Sequence, residues 1–225
     1  MNPELRNSAA HLFVDSVDAP ALSVDHFHHL SHVLRLRNGE SVTCSDGRGS
    51  WRVCTWVDGS LVADGEVRSE PAPDPVLSVA ISPVKGDRTD LVVEKLVEIG
   101  IDAIVVLAPV ERSVVRWTGD KTVAVMERYG RIVRSAAMQS RRVHLPVLSG
   151  PVALSDVISA GAAVAEPGGT ADWSQVTTVV VGPEGGFAPA EIAPAQAMVD
   201  LGPAVLRAET AAIVAGARMV AHWRR

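Results

Sequence analysis

The spacing of apolar and polar residues changes near residue 75. Before that point, segments 40–45, 50–56 and 60–67 alternate polar with apolar residues and are separated by Asp-Gly turns. A period of two between turn residues is typical of short antiparallel strands. Segment 23–36 carries apolar residues at helical spacing instead, and segment 10–16 is strand-like. The pattern predicts a small β-barrel or β-sheet module with one helix.

From residue 76 the pattern becomes an alternation of strands and helices. Segments 76–84, 103–110 and 177–181 are rich in apolar residues, which indicates buried strands. The other predicted strands are 144–148 and 162–167, and the predicted helices are 87–99, 122–137, 151–160, 189–198 and a last helix after residue 207. This alternation predicts an α/β domain with a parallel sheet covered on both faces. The prolines of 71–75 mark a stiff linker, so domains are expected at 1–72 and 73–225.

The composition narrows the class of protein. The 225 residues are 47% hydrophobic and 21% charged, which is typical of a globular protein. Without an apolar run of membrane-spanning length or a signal-like N-terminal segment, a cytoplasmic protein with no membrane partner is expected. The formal charge of −5 argues against a general nucleic-acid binder, so RNA contact would require a local basic patch. Cys44 and Cys54 are expected to be reduced core residues.

The richest stretch for function is 177–187, TTVVVGPEGGF. A β-branched strand runs into a loop with three glycines in five residues, and Pro189 then opens a predicted helix. Such a loop lets a ligand lie against main-chain groups. It lacks the phosphate-binding patterns of nucleotide sites, so a dinucleotide or nucleoside triphosphate is disfavoured. An ordinary tight turn is the alternative, but a second loop at 202–210 with charged residues suggests one shared pocket.

These two loops carry a resemblance to a known class. GPEGGF and LGPAVLRAETA are similar to the signature of the SPOUT class of S-adenosylmethionine-dependent RNA methyltransferases. Within that class the chain resembles the family that methylates N3 of a uridine in 16S ribosomal RNA. Matches in the family's order continue along nearly the whole chain: 28–40 (HHLSHVLRLRNGE), Lys85, 94–101 (EKLVEIGI), 111–113 (ERS), 138–142 (MQSRR) and Pro146.

The resemblance implies more about the fold than periodicity does. It implies a PUA-like RNA-binding β-barrel at 1–72 and a SPOUT α/β domain at 73–225 with a deep C-terminal trefoil knot. It also implies a homodimer, in which a second subunit completes the cofactor pocket. The expected RNA partner is 16S rRNA, within the small ribosomal subunit or a late assembly intermediate.

The resemblance also implies the cofactor and the residues that bind it. S-adenosyl-L-methionine is expected to contact Leu107, Gly182, Pro183, Glu184, Gly185, Gly186, Leu201, Gly202, Leu206 and Thr210. Uracil N3–H is a weak acid, so the site must flip the base out, remove the proton and stabilise charge on the uracil oxygens. Arg207 is the expected stabilising group. Glu184 or Glu209 is expected to orient it or to help take the proton, and the sequence does not separate the two.

Basic residues that fit the RNA side lie in two groups. Arg35 and Arg37 lie at the end of the first predicted helix and the start of a strand, whereas Arg128 and Arg131 are as readily explained as a solvated helix face. Arg112 lies just after a strand, where open α/β sheets place ligands, although a surface arginine is the simpler interpretation. The resemblance favours RNA contacts for Arg134, Gln139, Ser140 and Arg141. In the same RNA-side segments, Met138 replaces an acidic residue of many relatives, and His11 follows Ala10 where relatives often begin with a basic residue.

Other chemistries have little support. His28 and His32 are one helical turn apart, but no third ligand is evident, so no metal is expected. No GxSxG motif or supported Cys/His pair indicates hydrolysis. Two alternatives to the uridine-N3 activity remain: a SPOUT methyltransferase acting on transfer RNA or a ribose hydroxyl, and a non-catalytic RNA-binding module.

Overall fold

A computed structural model describes residues 2–224 and divides the chain into two compact units. The first contains residues 1–73 and 134–145, and the second contains residues 74–133 and 146–225. A segment that is distant in sequence, 134–145, therefore belongs with the N-terminal residues. Sequence periodicity gave no sign of this arrangement, because it reports local structure only.

The first unit contains a four-stranded sheet in the order β1-β2-β3-β4. The strands are β1 Ala10–Phe13, β2 Ser41–Ser45, β3 Ser50–Val57 and β4 Ser60–Ser69. The last three pair antiparallel, which confirms the predicted meander, while β1 pairs parallel with β2. A parallel neighbour needs a long crossover connection, and residues 14–40 provide it.

The helices of the first unit differ from the prediction. A short helix, α1 Pro3–Asn7, was not predicted, although Asn2 caps it by accepting a hydrogen bond from Glu4 N and Pro3 occupies its first turn. The predicted helix 23–36 is divided into α2 Val24–His28 and a π-helical turn, His29–Val33. Ser23 caps α2 as its sequence position suggests.

The core of the first unit lies under this sheet. Leu12, Val42 and Leu30 are completely or almost completely buried. Cys44 and Cys54 are buried free thiols in the same cluster, as expected of reduced core residues. Met138 packs against this cluster, which gives a physical reason for an apolar residue at that position.

The second unit contains a six-stranded sheet in the order β10-β8-β9-β5-β6-β7. Its strands are β5 Ser78–Ile81, β6 Ala103–Leu107, β7 Val147–Val152, β8 Ala163–Thr170, β9 Thr178–Val181 and β10 Met198–Val199. All neighbouring pairs are parallel, which confirms the predicted parallel sheet. β9, which is late in the sequence, lies in the interior of the sheet between β8 and β5.

The helices that follow along the chain are α3 Arg88–Ile99, α4 Asp120–Gln139, α5 Leu154–Ser159, α6 Pro189–Ile192 and α7 Ala208–Trp223; residues 134–139 of α4 belong to the first unit. α3 ends at Gly100 with φ of 113°, as predicted. The predicted helix 151–160 starts later, because Val152 still pairs with Leu107 in the sheet. The predicted helix 189–198 stops at Ile192, two residues before Pro194, which disfavours helical backbone at the residue before it.

Close packing of α3 and α7 completes this unit on one side. A Cβ at Gly216 of α7 would lie 2.7 Å from Cδ2 of Leu96 in α3, so glycine allows the helices to approach. The first two residues of α7, Ala208 and Glu209, lie beside the end of β9. Within residues 2–224, no helix has the length and apolar character needed to cross a membrane.

Candidate functional site

The second unit contains a cavity of about 470 Å³ between the glycine loop after β9 and the loop that precedes α7. Most residues expected to bind a cofactor line it: Gly182, Pro183, Glu184, Gly185, Gly186, Leu201, Gly202 and Leu206. Arg207 lines it as well. The structure therefore brings the two sequence loops to one site, as the sequence suggested. Leu107 is buried in the apolar core with Phe187, and Thr210 is exposed on α7; neither lines the cavity.

The glycines of the two loops leave bare backbone at the cavity. Gly186 has φ of 68° and Gly202 has φ of 138°, which are backbone conformations that residues other than glycine rarely adopt. A Cβ on Gly186 would meet no protein atom within 4 Å, and one on Gly202 would meet only Arg218, at 4.0 Å. Space at these two positions is therefore not needed for protein packing and is open to a ligand.

Arg112 holds the glycine loop from the side. Its Nη1 donates to the carbonyl oxygens of Gly185, at 3.0 Å, and Phe187, at 3.3 Å. The loop that carries Arg112 follows β6 and is further tied by Glu191, which accepts from Glu111 N and from Ala188 N, both at 2.8 Å. Sequence reasoning placed Arg112 near a ligand site, and its guanidinium contacts the loop itself; an RNA contact by Arg112 stays a prediction.

Arg88, the first residue of α3, contacts both candidate catalytic carboxylates. Its Nη2 lies 3.1 Å from Oε1 of Glu184, and its Nη1 lies 3.3 Å from Oε1 of Glu209. The side chain of Glu209 is only 12% exposed. The backbone N–H of Glu209 at the start of α7, together with Arg88 and Arg207, lowers the pKa of Glu209. The sequence analysis did not single out Arg88, because nothing local links it to residues about a hundred positions away.

Arg207 is the residue immediately before α7, with extended backbone (φ −66°, ψ 153°). Its side chain is exposed and lies at the cavity wall. Within residues 2–224, no hydrogen bond or salt bridge engages its guanidinium. A guanidinium in this state is available to stabilise negative charge on a ligand.

Two acidic residues of the cavity wall were not predicted, Glu166 and Asp200. Asp200 ties the second loop to strand β8, because Oδ1 accepts from Gly202 N at 2.6 Å and Oδ2 accepts from Gly168 N, in β8, at 3.0 Å. These two backbone hydrogen bonds lower the pKa of Asp200. The Asp-x-Gly sequence at 200–202 is typical of an Asx turn, and this pattern could have indicated that Asp200 holds the second loop.

The residues expected on the RNA side lie mainly in the first unit. Arg134 Nη2 donates to Phe13 O at 2.9 Å, and Arg141 Nη2 donates to Ser8 O at 2.9 Å, so both are tied to N-terminal backbone. Burial lowers the pKa of Arg141. Ser140 Oγ donates to Ala136 O, and Gln139 is exposed.

A second cavity of about 210 Å³ lies beside these residues and is lined by Ser140, Arg141, Arg142 and His144, among others. Arg35 and Arg37 follow the π-helical turn His29–Val33 of the first unit, and Arg35 has φ of 53°. RNA contacts by all of these residues stay predictions.

The histidines near residue 30 lie on the helical segment 24–33 of the first unit. The rings of His28 and His32 stack with centroids 4.9 Å apart, as their spacing predicts. In the described part of the chain, no group of three or more His, Cys, Asp or Glu residues is arranged to hold a metal ion.

Comparison with known proteins identifies the family. A family model described as an RNA methyltransferase domain matches residues 71–220, and one described as an RNA methyltransferase PUA domain matches residues 22–57. The ribosomal RNA small subunit methyltransferase E of Mycobacterium bovis is 36% identical, over 90% of this chain and 88% of that protein.

Solved structures agree with this match. A methyltransferase from Legionella pneumophila with bound S-adenosylmethionine is 26% identical, with a TM-score of 0.79 over 94% of this chain and 97% of that one. The ribosomal RNA small subunit methyltransferase E of Neisseria gonorrhoeae, also bound to S-adenosylmethionine, is 26% identical, with a TM-score of 0.74 over 95% and 98%. The chain therefore belongs to the family of ribosomal RNA small subunit methyltransferases E and has a mixed α/β fold with a PUA domain.

Proposed function

We propose that the protein transfers a methyl group from S-adenosylmethionine to N3 of a uridine in 16S ribosomal RNA. The observation that carries the proposal is the single cavity formed by the two predicted loops, with the unpaired guanidinium of Arg207 at its wall. The names of the relatives support the RNA substrate, and the cofactor bound in two structural neighbours supports S-adenosylmethionine.

The cavity fits this cofactor in size and in the character of its wall. A volume of about 470 Å³ lies within the usual range for small-molecule sites. The bare backbone at Gly186 and Gly202 provides main-chain groups for hydrogen bonds to an adenine edge. Apolar atoms of Leu201, Val205 and Leu206 provide contact area. We assign cofactor binding to the two loops 182–186 and 201–206.

The chemistry assigned to this chain is placement of the base and stabilisation of charge. S-adenosylmethionine supplies an electrophilic methyl group when it is bound. As uracil N3 loses its proton, negative charge spreads to the two ring oxygens, and a guanidinium can donate to such an oxygen. We assign this role to Arg207, because it lines the cavity and its N–H groups are not used by the described protein.

Glu184 and Glu209 are the candidates for receiving the N3 proton or for orienting Arg207. The lowered pKa of Glu209 disfavours it as the group that receives the proton, since a base is most effective with a pKa near the working pH. Glu184 lines the cavity of about 470 Å³. Its side chain is 31% exposed and that of Glu209 is 12% exposed, so Glu184 is the more accessible of the two to a substrate.

On the RNA side, we propose that residues 1–72 form a PUA-like barrel that binds RNA and that 73–225 form the catalytic domain. Arg35, Arg37, Arg134 and Arg141, with Gln139 and Ser140, are proposed contacts, and Arg112 is proposed to contact RNA in addition to holding the glycine loop. Basic side chains such as these would supply the positive charge that a chain with a net charge of −5 needs to bind RNA. We propose a cytoplasmic enzyme that needs no metal and acts on the small subunit or a late assembly intermediate.

We also propose that the C-terminal loops form a trefoil knot and that two copies associate. The proposal of association follows the family resemblance, in which a second subunit completes the cofactor pocket. Val205, which lines the cavity and is 92% exposed, is a side chain that a second copy could contact. Sedimentation of the purified protein in the presence of cofactor tests the dimer, and a monomer at micromolar concentration would contradict it.

Methyl transfer from labelled S-adenosylmethionine tests the proposed activity. The substrates are small ribosomal subunits that lack N3-methyluridine, and fully modified subunits are the matched control. Nucleoside analysis should show N3-methyluridine at one site in the first sample and no incorporation in the second. A different methylated nucleoside would move the modified atom, to a ribose hydroxyl for example, and transfer to transfer RNA but not to subunits would move the substrate. Cofactor binding without any transfer would favour a non-catalytic RNA-binding module.

A further inference from the structure

Arg88 is the residue whose contacts the proposed activity does not yet explain. Its three nitrogen atoms each have an assigned acceptor: Nε donates to Lys85 O at 3.1 Å, Nη2 to Glu184 and Nη1 to Glu209. Its side chain is 35% exposed, so the group is partly shielded from water. One cation thus connects the start of α3, the glycine loop and the first turn of α7.

This arrangement depends on the shape of a guanidinium. Two carboxylates from different elements lie within 3.3 Å of one side chain, while a third donor is directed to a backbone carbonyl. A planar fork with five N–H donors can serve all three acceptors at once, whereas an ammonium group is a single point charge on a flexible stem. The contacts are therefore specific to arginine.

The charges around Arg207 show what this arrangement prevents. Glu209 follows Arg207 by two residues, and the charge of Arg207 contributes to the lowered pKa of Glu209, so the two groups interact electrostatically. Without Arg88, Glu209 would be a nearly buried carboxylate without its ion-pair partner. Arg207, whose charge already acts on Glu209, would then be able to form an ion pair with it, and that pair would use the N–H groups that the substrate needs.

We propose that Arg88 is a positioning residue that holds Glu184 and Glu209 and so leaves the guanidinium of Arg207 available to the uracil oxygens. The inference rests on the proposed methyl transfer and adds a residue that does not touch the substrate. It predicts a specific pattern: loss of Arg88 harms turnover only while Glu209 can still form an ion pair.

A double-variant experiment tests this pattern. Turnover and the KM for S-adenosylmethionine are measured for the wild type, Arg88→Ala, Glu209→Gln and the double variant, with RNA substrate in excess. Arg88→Ala in the wild-type background should lower kcat by about tenfold or more and change the KM by less than about threefold. In the Glu209→Gln background, the same Arg88→Ala change should lower kcat by less than about threefold.

Arg88→Lys is the conservative variant, and it should remain impaired because lysine does not reproduce the fork. Thermal unfolding of every variant identifies simple loss of folding, which would lower kcat equally in both backgrounds. An equal loss of kcat in both backgrounds, or full activity of Arg88→Ala, would overturn the proposal. A wild-type protein that binds cofactor but methylates no RNA would instead overturn the proposed function, and this inference with it.

Discussion

The guanidinium of Arg112 donates to the carbonyl oxygen of Gly185 at a distance of 3.0 Å. This contact joins the loop after β6 to the glycine loop after β9, two strands that are not neighbours in the sheet. A Cβ on Gly185 would lie 3.2 Å from Cβ of Arg112, so the backbone of the loop and the arginine stem are already in close contact. The shape of the glycine loop is thus set by a residue outside it as well as by its own glycines.

Replacement of Arg112 by alanine is expected to weaken cofactor binding. The loop loses two hydrogen bonds from a charged donor, but the site is exposed, so a moderate effect is expected: a rise in Kd of roughly three- to tenfold, or about 0.7–1.4 kcal/mol. Titration calorimetry with S-adenosylmethionine measures it. Arg116→Ala is the matched control, because Arg116 donates to Val110 O and Glu111 O but not to the glycine loop. Equal effects of the two variants would contradict this role.

Arg112 also illustrates what the sequence could reveal. Its position just after a strand placed it at the carboxyl edge of the predicted parallel sheet, because that rule depends only on strand direction, and the guanidinium contacts the glycine loop there. The acceptor of its hydrogen bonds was not predictable, since β6 and β9 are about seventy residues apart and their separation in space depends on strand order. The same limit applies to Arg88, whose two carboxylate partners lie far along the chain.

Replacement of Asp200 by asparagine is expected to loosen the second loop of the cavity. The carboxylate accepts backbone hydrogen bonds from Gly202 and Gly168, and an amide has one oxygen fewer to offer. Cofactor affinity should therefore fall at neutral pH. Asp172→Asn is the matched control, since Asp172 accepts in the same way from Ser174 N but does not line the cavity.

The pH dependence of this effect has a definite sign. The pKa of Asp200 is lowered from its ordinary value of 3.8, so its contribution is complete above that value and is lost as the pH falls through the folded pKa. The difference in melting temperature between wild type and Asp200→Asn should thus be largest above pH 4 and shrink at lower pH. A difference that stays constant on acidification would show that the carboxylate charge is not involved.

His11 is expected to make the first unit sensitive to mild acid. Its ring is buried between Thr43 and the carbonyl oxygen of Arg142, and burial lowers its pKa from 6.5 to about 4. The unfolded chain therefore takes up a proton first, so stability is complete above pH 6.5 and declines as the pH falls towards 4. The full contribution is roughly 3 kcal/mol at about 1.4 kcal/mol for each pKa unit.

His11→Gln should abolish that part of the decline while lowering stability at neutral pH through loss of its buried contacts. Urea unfolding at about pH 7.5 and about pH 4.5 measures how much free energy of unfolding each protein loses between these pH values. His29→Gln controls for the loss of a histidine at an exposed position. If His11→Gln and the wild type lose the same free energy of unfolding between these pH values, titration of His11 does not explain the acid sensitivity.

The first unit shows a second limit of sequence analysis. The alternation of residues 40–67 correctly indicated an antiparallel meander, because that pattern is local. It gave no sign that Met138 and Val143 pack on the cores of the first unit, which requires a contact across about a hundred residues. His11 is buried and Met138 is partly buried, at two positions where the family resemblance suggested a charged residue. Packing within the unit accounts for their character.

Replacement of Arg207 by alanine is expected to separate binding from turnover. The side chain lines the cavity but is not needed for the backbone contacts assigned to the cofactor, so kcat should fall by more than about tenfold while the Kd for S-adenosylmethionine changes by less than about threefold. Single-turnover methyl transfer and calorimetry measure the two quantities. Arg131→Ala, an exposed arginine of α4, controls for the loss of one positive charge in an RNA-binding protein. Unchanged turnover of Arg207→Ala would remove it from the reaction and leave Glu184 as the next residue to replace.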